Sequence, residues 1–187
     1  MNDEIELTGK DLNIGDFVKV VKENKKVKIA DKAYKKLENS REYVLNNLNT
    51  DKPIYGMNRG VGENKDQVVF SEYYEKYNRN LIYAHCVAVK PEADIEEVRA
   101  ALLARLNTLL MARTGIQPSI VEMYRDFLNY GIHPVIPKRG SVGEGDIACL
   151  SHIGLAMLGE GEVYFKGKKI NAQKALDKVD LKPVNLG

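Results

Sequence analysis

The sequence predicts a mainly α-helical domain with short strands and one hairpin. Apolar residues recur at three- and four-residue spacing over several long segments, which is the pattern of amphipathic helices. The 187 residues are 44% hydrophobic and 29% charged, which provides enough apolar side chains for one buried core and excludes a disordered chain. No internal repeat or linker-like segment divides the sequence, so we expect residues 1–187 to form a single unit.

The first part of the chain predicts a strand followed by two helices. Residues 5–7 can form a short strand, and the segment from Ile14 to Glu23 places its apolar side chains on one helical face. From Ala30 to Leu48 the apolar positions keep the spacing of a long amphipathic helix. Asp51-Lys52-Pro53 is then expected to end that helix, because the residue before a proline disfavours helical backbone angles.

Two further helices are predicted in the middle of the chain. Asp94 and Glu97 have the spacing of a capping box, which satisfies unpaired N–H groups at a helix start. The leucines that follow keep a helical period, and Gly115 is expected to end the helix. The next helix is expected over residues 119–129.

The last part of the chain predicts a buried helix, a hairpin and a short helical turn. The run IACLSHIGLAML at residues 147–158 is apolar on nearly every face, which is typical of a helix buried on all sides. Residues 163–170 are interrupted by Gly167 and predict a hairpin. Residues 172–176 predict a last helical turn.

Composition and charge exclude several classes of protein. The formal net charge is +2 and the two signs alternate along the chain, so we expect no nucleic-acid partner. The longest nearly apolar run is too short to cross a bilayer and the N-terminus lacks the regions of a signal peptide, so we expect a cytoplasmic protein without membrane contact. Cys86 and Cys149 lie in apolar segments and are expected to be buried thiols.

The apolar run at residues 147–158 and the extended segment Pro183–Gly187 both suggest a missing neighbour. A fully apolar helix and an apolar tail are what a chain would have if a large helical partner covered them. A frayed terminus explains the tail equally well.

Three glycine-punctuated segments stand out as places for chemistry, and each is expected to lie between helices. They are Tyr55–Gly62, Asn80–His85 and Gly140–Asp146. A phosphate-binding loop is not indicated, because no Lys-Ser or Lys-Thr follows the glycines.

Metal binding and serine-type catalysis are not indicated either. His85, His133 and His152 lie far apart in the sequence without paired carboxylates at ligand spacing, so no metal is expected. Ser141, His85 and Asp146 could form a catalytic triad on paper, but the nucleophile elbow G-x-S-x-G is absent from the sequence.

These segments resemble those of the histidine and aromatic amino-acid ammonia-lyases and the related aminomutases. Tyr55–Gly62 (YGMNRGVG) is similar to the family's YGVNTGFG loop, and Asn80–His85 to its NL-x-x-SH segment. Val98–Gly115 is similar to its R-x-x-x-x-x-R-x-N-x-L helix. His133–Gly143 is similar to HP-x-VP-x-x-GSVG, and Leu158–Val163 to LIGEGEV. The resemblance therefore implies the N-terminal part of an ammonia-lyase-like helical protomer.

The resemblance also implies the roles of several residues. Tyr55 matches the loop tyrosine that removes a β-proton from the substrate, and His85 matches the active-site histidine. Asn58, Arg59 and Gly62 are implied as substrate-binding residues of the same loop. A phenol acts as a base only if its surroundings favour the anion, which helix N-termini beside glycine loops can do. The competing interpretations are a packing tyrosine and a hydrogen-bonded core histidine.

The sequence departs from the family where the family's electrophile would form. In the family an Ala-Ser-Gly tripeptide after GSVG cyclises into a methylidene-imidazolone, whereas this chain has Gly143-Glu144-Gly145-Asp146. No serine stands there to be dehydrated, so we expect no methylidene-imidazolone and no other cofactor. Glu144 is expected to act as a catalytic carboxylate in its place, paired with Arg59, which replaces the family's threonine.

The second departure is length, because family members are more than twice as long. We expect a second polypeptide to carry the C-terminal helical part, in a homo- or hetero-oligomer; a truncated, degenerate copy is the alternative. The expected function is base-assisted lyase or related hydrolytic or hydration chemistry on a small aromatic or cyclic polar substrate. Two alternatives stay open: a histidine or aromatic amino-acid ammonia-lyase proper, and a non-catalytic partner subunit.

Overall fold

The structure, a computed structural model, describes residues 4–48, 50, 52–143, 145 and 147–186. Helices dominate it, which confirms the predicted mainly α class. The helices are α1 (Ile14–Lys22), α2 (Asp31–Leu48), α3 (Tyr74–His85), α4 (Ile95–Leu109), α5 (Pro118–Tyr130), α6 (Ile147–Met157) and α7 (Ala172–Asp177). The strands are β1 (Glu4–Leu7), β2 (Lys26–Ile29), β3 (Val89–Glu92), β4 (Ile132–Pro134), β5 (Pro137–Arg139), β6 (Glu162–Phe165) and β7 (Lys168–Asn171).

The strands form three small sheets at the edges of the helical core. β1 and β2 pair in parallel, and β3 pairs with β5 in antiparallel register. The predicted hairpin is confirmed as β6–β7, and β4 adds a third strand to it. The order β4-β6-β7 places Pro134 opposite Val163, so the chain after α5 is fixed against the chain after α6.

Two element predictions need correction. Helix α4 begins with the predicted capping box of Asp94 and Glu97 but ends at Leu109, before Gly115. After Leu109 the chain turns: the Ala112 N–H donates to the Leu109 carbonyl at 2.9 Å, and Ala112 has a left-handed φ of 57°, which a continuing helix does not allow. Residues 80–85 do not lie between helices: they form the second half of α3.

The core is centred on α4, which packs against α1 and α5. Its leucines are fully buried, and burying one leucine side chain stabilises the fold by about 1.5–3 kcal/mol. The buried leucines of α4 are Leu102, Leu103, Leu106 and Leu109.

Arg99 is a charged residue inside this core. Its guanidinium donates hydrogen bonds to the carbonyls of Val20 and Val21 at the end of α1 and of Leu128 near the end of α5. The last carbonyls of a helix lack intrahelical partners and carry the negative end of the helix dipole. Arg99 therefore joins the C-terminal ends of two helices to α4.

Helix α6 is not buried on all sides within the part of the chain that the structure describes. Its inner face carries Ile153 and Ala156 in the core, and Gly154 lets Ile82 of α3 come close. Its outer face is open, since Ile147 is 51% and Leu150 is 38% exposed. An apolar face of this kind marks a surface that another protein element can cover.

The two cysteines are half-buried rather than fully buried, and both are free thiols. Burial raises the pKa of the Cys86 thiol to about 11, so this thiol is a poor nucleophile at neutral pH. Among the described residues, no helix has the length and hydropathy needed to cross a membrane.

Candidate active site

The chain between α2 and α3 folds into a compact loop, residues 54–69, which we call the tyrosine loop. Its first turn is fixed by Asn58, whose amide oxygen accepts the Ile54 N–H at 2.7 Å. The Asn58 amide nitrogen donates to the carbonyls of Leu48 at 3.2 Å and Lys52 at 3.0 Å. The loop is thus tied to the end of α2 by one buried side chain.

Backbone bonds close the second half of the tyrosine loop. The Gly60 N–H donates to the Gln67 carbonyl at 3.0 Å, and the Val69 N–H donates to the Asn58 carbonyl at 3.1 Å. A side chain at Gly60 would overlap the carbonyl of Asn64, so this position requires glycine. The loop is therefore well specified although it contains little regular structure.

Tyr55 lies at the start of the tyrosine loop and is 63% exposed. Its hydroxyl oxygen accepts the Gly62 N–H at 2.9 Å. This bond holds the phenol oxygen at a fixed place beside the backbone of the loop. The geometry therefore gives Tyr55 one of the features that a catalytic base needs.

Gly62, predicted as a substrate-binding residue, supplies that N–H group. Its φ is 57°, a left-handed conformation that glycine adopts without strain. A side chain added at Gly62 would meet open space, so the backbone angle and not crowding favours glycine here.

His85 is the last residue of α3 and is half-buried. Its Nδ1 atom lies 2.6 Å from the Leu81 carbonyl oxygen. Because a carbonyl can only accept, Nδ1 carries the proton and Nε2 is the acceptor nitrogen of the neutral ring. His85 is thereby held in one tautomer and one orientation.

The predicted pairing of Arg59 with Glu144 stays a prediction, because Glu144 lies outside the described residues. The Arg59 side chain is half-buried, and its Nη1 donates to the Asn58 carbonyl at 3.0 Å. Arg59 also forms a bridge with Val68 through its backbone. Asp146, a member of the triad that the sequence allowed on paper, likewise lies outside the described residues.

Residues 140–146 correspond to the segment that would form a methylidene-imidazolone. The Ser141 hydroxyl oxygen accepts the Gly143 N–H at 3.0 Å, so it closes a turn within the segment. Residues 143–146 read Gly-Glu-Gly-Asp and provide no serine hydroxyl to eliminate. These residues therefore do not fit the group.

A cavity of about 340 Å³ lies behind the tyrosine loop. Gly56 and Met57 of the loop form one wall, and Leu81 and Ile82 of α3 form another. The cavity is thus bounded by the neighbours of Tyr55 and by the helical turn before His85. It separates the two elements that carry the predicted catalytic side chains.

Arg41 also lines this cavity, and no sequence pattern singles it out. Its Nη1 donates to the Gly115 carbonyl at 3.4 Å, and burial lowers the pKa of its guanidinium. Within the described ranges, no three His, Cys, Asp or Glu side chains are grouped closely enough to hold a metal ion.

Comparison with protein families adds a match over nearly the whole chain. The model of the family named aromatic amino acid lyase matches residues 12–187. The histidine ammonia-lyase of Treponema denticola is 37% identical over 183 residues, which cover 97% of this chain and 36% of that protein. The histidine ammonia-lyase of Alkaliphilus metalliredigens is 34% identical, with 98% of this chain and 36% of that protein covered.

Solved structures of related enzymes have a similar fold. The ergothioneine-degrading enzyme ergothionase from Treponema denticola, in complex with desmethyl-ergothioneine sulfonic acid, matches with a TM-score of 0.96 and 49% identity. The match covers 99% of this chain and 37% of that one. Tyrosine aminomutase from Streptomyces globisporus matches with a TM-score of 0.91 and 31% identity, over 98% of this chain and 34% of that one. The chain thus spans about a third of the length of its relatives.

Proposed function

Because the chain belongs to the aromatic amino acid lyase family, we propose that it provides the base-carrying part of a lyase active site. Tyr55 is the base that removes a proton from the carbon next to the one bearing the leaving amine. The observation that carries this proposal is the hydrogen bond from the Gly62 N–H to the Tyr55 oxygen at 2.9 Å. A base must be held in a fixed position to take a proton from the substrate, and this bond positions the Tyr55 oxygen.

The proposed substrate is a betaine of an imidazole amino acid, of the ergothioneine class. Two observations support this class: the 49% identity to ergothionase, and Glu144 in place of the Ala-Ser that forms the family's electrophile. In ergothioneine the amine nitrogen carries three methyl groups and has no lone pair. Such a nitrogen cannot add to an electrophile, and it leaves as a neutral amine without further activation. A lyase for this substrate has no need of the methylidene-imidazolone.

The proposed reaction is a β-elimination. The Tyr55 phenolate takes the proton from Cβ, and the C–H electron pair becomes the Cα=Cβ bond. The Cα–N bond breaks and its electron pair leaves with the nitrogen as trimethylamine. The other product is an imidazole acrylate, and the proton on Tyr55 returns to solvent.

His85, Arg59 and Glu144 are proposed to assist Tyr55. The Nε2 atom of His85 is an acceptor, suited to a donor on the substrate ring. The cation of Arg59 suits the substrate carboxylate. Glu144 is proposed to stabilise the positive charge of the quaternary nitrogen.

We also propose that a second polypeptide carrying the C-terminal helical part completes the site. The exposure of Tyr55 and the open apolar face of α6 support a covering element at this end of the chain. The complex is proposed to be cytoplasmic, in line with the composition.

Amino-acid deamination is the second candidate function, because histidine ammonia-lyases are 37% and 34% identical to this chain. It differs from the first in its leaving group, which is ammonia rather than trimethylamine. A non-catalytic subunit, the remaining alternative, would leave the Tyr55–Gly62 bond without a function.

The test uses the complete assembly, purified from cells that contain both polypeptides. Incubation with ergothioneine should release trimethylamine together with a conjugated acrylate that absorbs in the near ultraviolet. Tyr55→Phe should lower the rate by about 10²- to 10⁴-fold, as expected for loss of a general base. The mass of the intact chain should show no loss of two waters.

Two results would contradict the proposal. Release of ammonia from histidine, phenylalanine or tyrosine, with no trimethylamine from the betaine, would favour deamination. An assembly that turns over none of these substrates would favour the non-catalytic subunit.

A further inference from the structure

We infer that Asn58 is a positioning residue for Tyr55 and does not bind substrate. This inference rests on the proposed function, since Asn58 acts through the proposed base. It replaces the substrate-binding role that the motif implied for Asn58.

The hydrogen-bonding capacity of the Asn58 amide is taken up by the protein. An asparagine side chain has two N–H donors and one carbonyl oxygen. Both donors of Asn58 are used by the carbonyls of Leu48 and Lys52, and its oxygen accepts the Ile54 N–H. The residue is also 5% exposed, so a substrate could reach its donors only by breaking these bonds.

The residues that are hydrogen-bonded to Asn58 lie both before and after Tyr55 in the sequence. Leu48 is the last residue of α2, and Ile54 directly precedes Tyr55. The backbone carbonyl of Asn58 accepts the Val69 N–H at 3.1 Å, which connects the returning side of the tyrosine loop. Asn58 therefore sets the position of the Tyr55 backbone relative to α2 and to the far side of the loop.

Tyr55 is thus held at two points. Asn58 fixes its backbone, and the Gly62 N–H fixes its hydroxyl oxygen. Loss of the first point should let the ring move away from Gly62, although Gly62 itself is unchanged. A displacement of about 1 Å at a reacting group can cost 10²-fold in rate.

Two variants test this role in the complete assembly. Asn58→Asp keeps an acceptor for the Ile54 N–H but places a carboxylate oxygen against the carbonyls of Leu48 and Lys52. Asn58→Ser removes the amide with a smaller disturbance. Each variant should lower kcat on the betaine by about 30- to 100-fold and change KM by less than about threefold, because a misplaced base slows the reaction without weakening substrate binding.

Asn129 offers a matched control. Its amide makes the same type of clamp, accepting the Val27 N–H at 2.9 Å and donating to the Val27 carbonyl at 2.9 Å, between α5 and β2. Asn129→Ser should lower the thermal midpoint of the protein and leave kcat within about twofold of the wild type. A merely structural role of Asn58 predicts the same behaviour for Asn58→Ser.

Hydrogen exchange gives a readout that does not depend on turnover. Asn58→Asp should raise the exchange rate of the Gly62 amide about tenfold, because its acceptor Tyr55 has moved. In a Tyr55→Phe background, Asn58→Asp should cause no further loss of the residual rate, since the two residues act as one unit.

The inference about Asn58 and the proposed function fail in different ways. A wild-type assembly without lyase activity would overturn the proposed function. Three results would overturn the role of Asn58. They are an unchanged exchange rate of the Gly62 amide in Asn58→Asp, a raised KM with unchanged kcat, and losses of rate that add to the loss in Tyr55→Phe.

Discussion

The Nη1 atom of Arg99 lies 3.2 Å from the Nε2 atom of His133, and both side chains are buried. A guanidinium can only donate, so Nε2 accepts and the His133 ring is neutral with its proton on Nδ1. Burial and the charge of Arg99 lower the pKa of His133 to about 4. The core therefore contains a histidine that is uncharged at neutral pH.

This pair predicts a pH-dependent stability. In the unfolded chain His133 binds a proton below its ordinary pKa of 6.5, whereas in the folded chain it does so only below about 4. The stabilisation that comes from keeping His133 neutral should therefore be fully present above pH 6.5. The free energy of unfolding should then fall by up to about 3 kcal/mol as the pH drops toward 4. Urea unfolding at a series of pH values measures this slope.

His133→Gln keeps an acceptor for Arg99 and removes the group that binds a proton. It should therefore make the free energy of unfolding depend less on pH. The slope that remains should come from other groups, among them His152, whose pKa is also lowered by burial. An equal slope in wild type and His133→Gln would contradict the assignment of the slope to His133.

Removal of Arg99 should destabilise the protein strongly. Arg99→Met fills a similar volume but leaves the carbonyls of Val20, Val21 and Leu128 without their donor. The expected loss is about 3–5 kcal/mol in the free energy of unfolding. Arg79→Met is the control, because it breaks a half-exposed pair with Glu160 and should cost less than about 1 kcal/mol.

Gly60 and Gly62 should differ in their tolerance of alanine. Gly60→Ala drives a methyl group into the Asn64 carbonyl and should distort the tyrosine loop. Gly62→Ala meets open space, keeps the N–H that Tyr55 accepts, and costs only about 1 kcal/mol for its left-handed backbone. Turnover of the assembly should fall at least about tenfold in Gly60→Ala and stay within about threefold of wild type in Gly62→Ala. Equal effects would mean that crowding at Gly60 does not shape the site.

Glu144→Gln should abolish activity while the assembly stays intact. The change keeps the shape of the side chain and removes the charge that is proposed to stabilise the quaternary nitrogen. Turnover and size-exclusion chromatography of the same preparation measure the two effects. Unchanged turnover would show that Glu144 only fills the space of the family's tripeptide.

The open face of α6 should be needed for assembly. Leu150→Glu places a charge on that face, and burying an unpaired carboxylate in an interface is costly. We expect it to prevent co-purification of the second polypeptide. Leu45→Glu, at an exposed leucine of α2, is the matched control and should leave assembly unchanged. A Leu150→Glu chain that still co-purifies would place the interface elsewhere.

Local sequence patterns predicted much of the helical fold. Helix α2 follows from its apolar spacing, the start of α4 from the Asp94 and Glu97 capping box, and the β6–β7 hairpin from Gly167. Helix α3 was not predicted from the sequence, because none of its residues is fully buried and its apolar pattern is weak. The strands β3 and β5 were missed because they are short and contain prolines.

The motifs in the sequence predicted which residues belong to the candidate site. They did not predict the hydrogen bonds that these residues make. The sequence identifies Tyr55, Asn58 and His85 as residues of interest, but it does not show that the Asn58 amide is hydrogen-bonded to backbone groups on either side of residue 50. The role of Arg99 was missed for a related reason: its partners lie on α1 and α5, distant in the sequence, and a buried arginine gives the same helical pattern as an exposed one.

The exposure of Tyr55 also bears on how activity would depend on enzyme concentration. Because Tyr55 is 63% exposed, the base remains open to solvent until another element covers it. If the covering element is a separate molecule, the fraction of shielded bases follows the association equilibrium between the two. Turnover per chain would then fall on dilution below their dissociation constant and recover when excess partner is added, so the supply of the second polypeptide would set the rate.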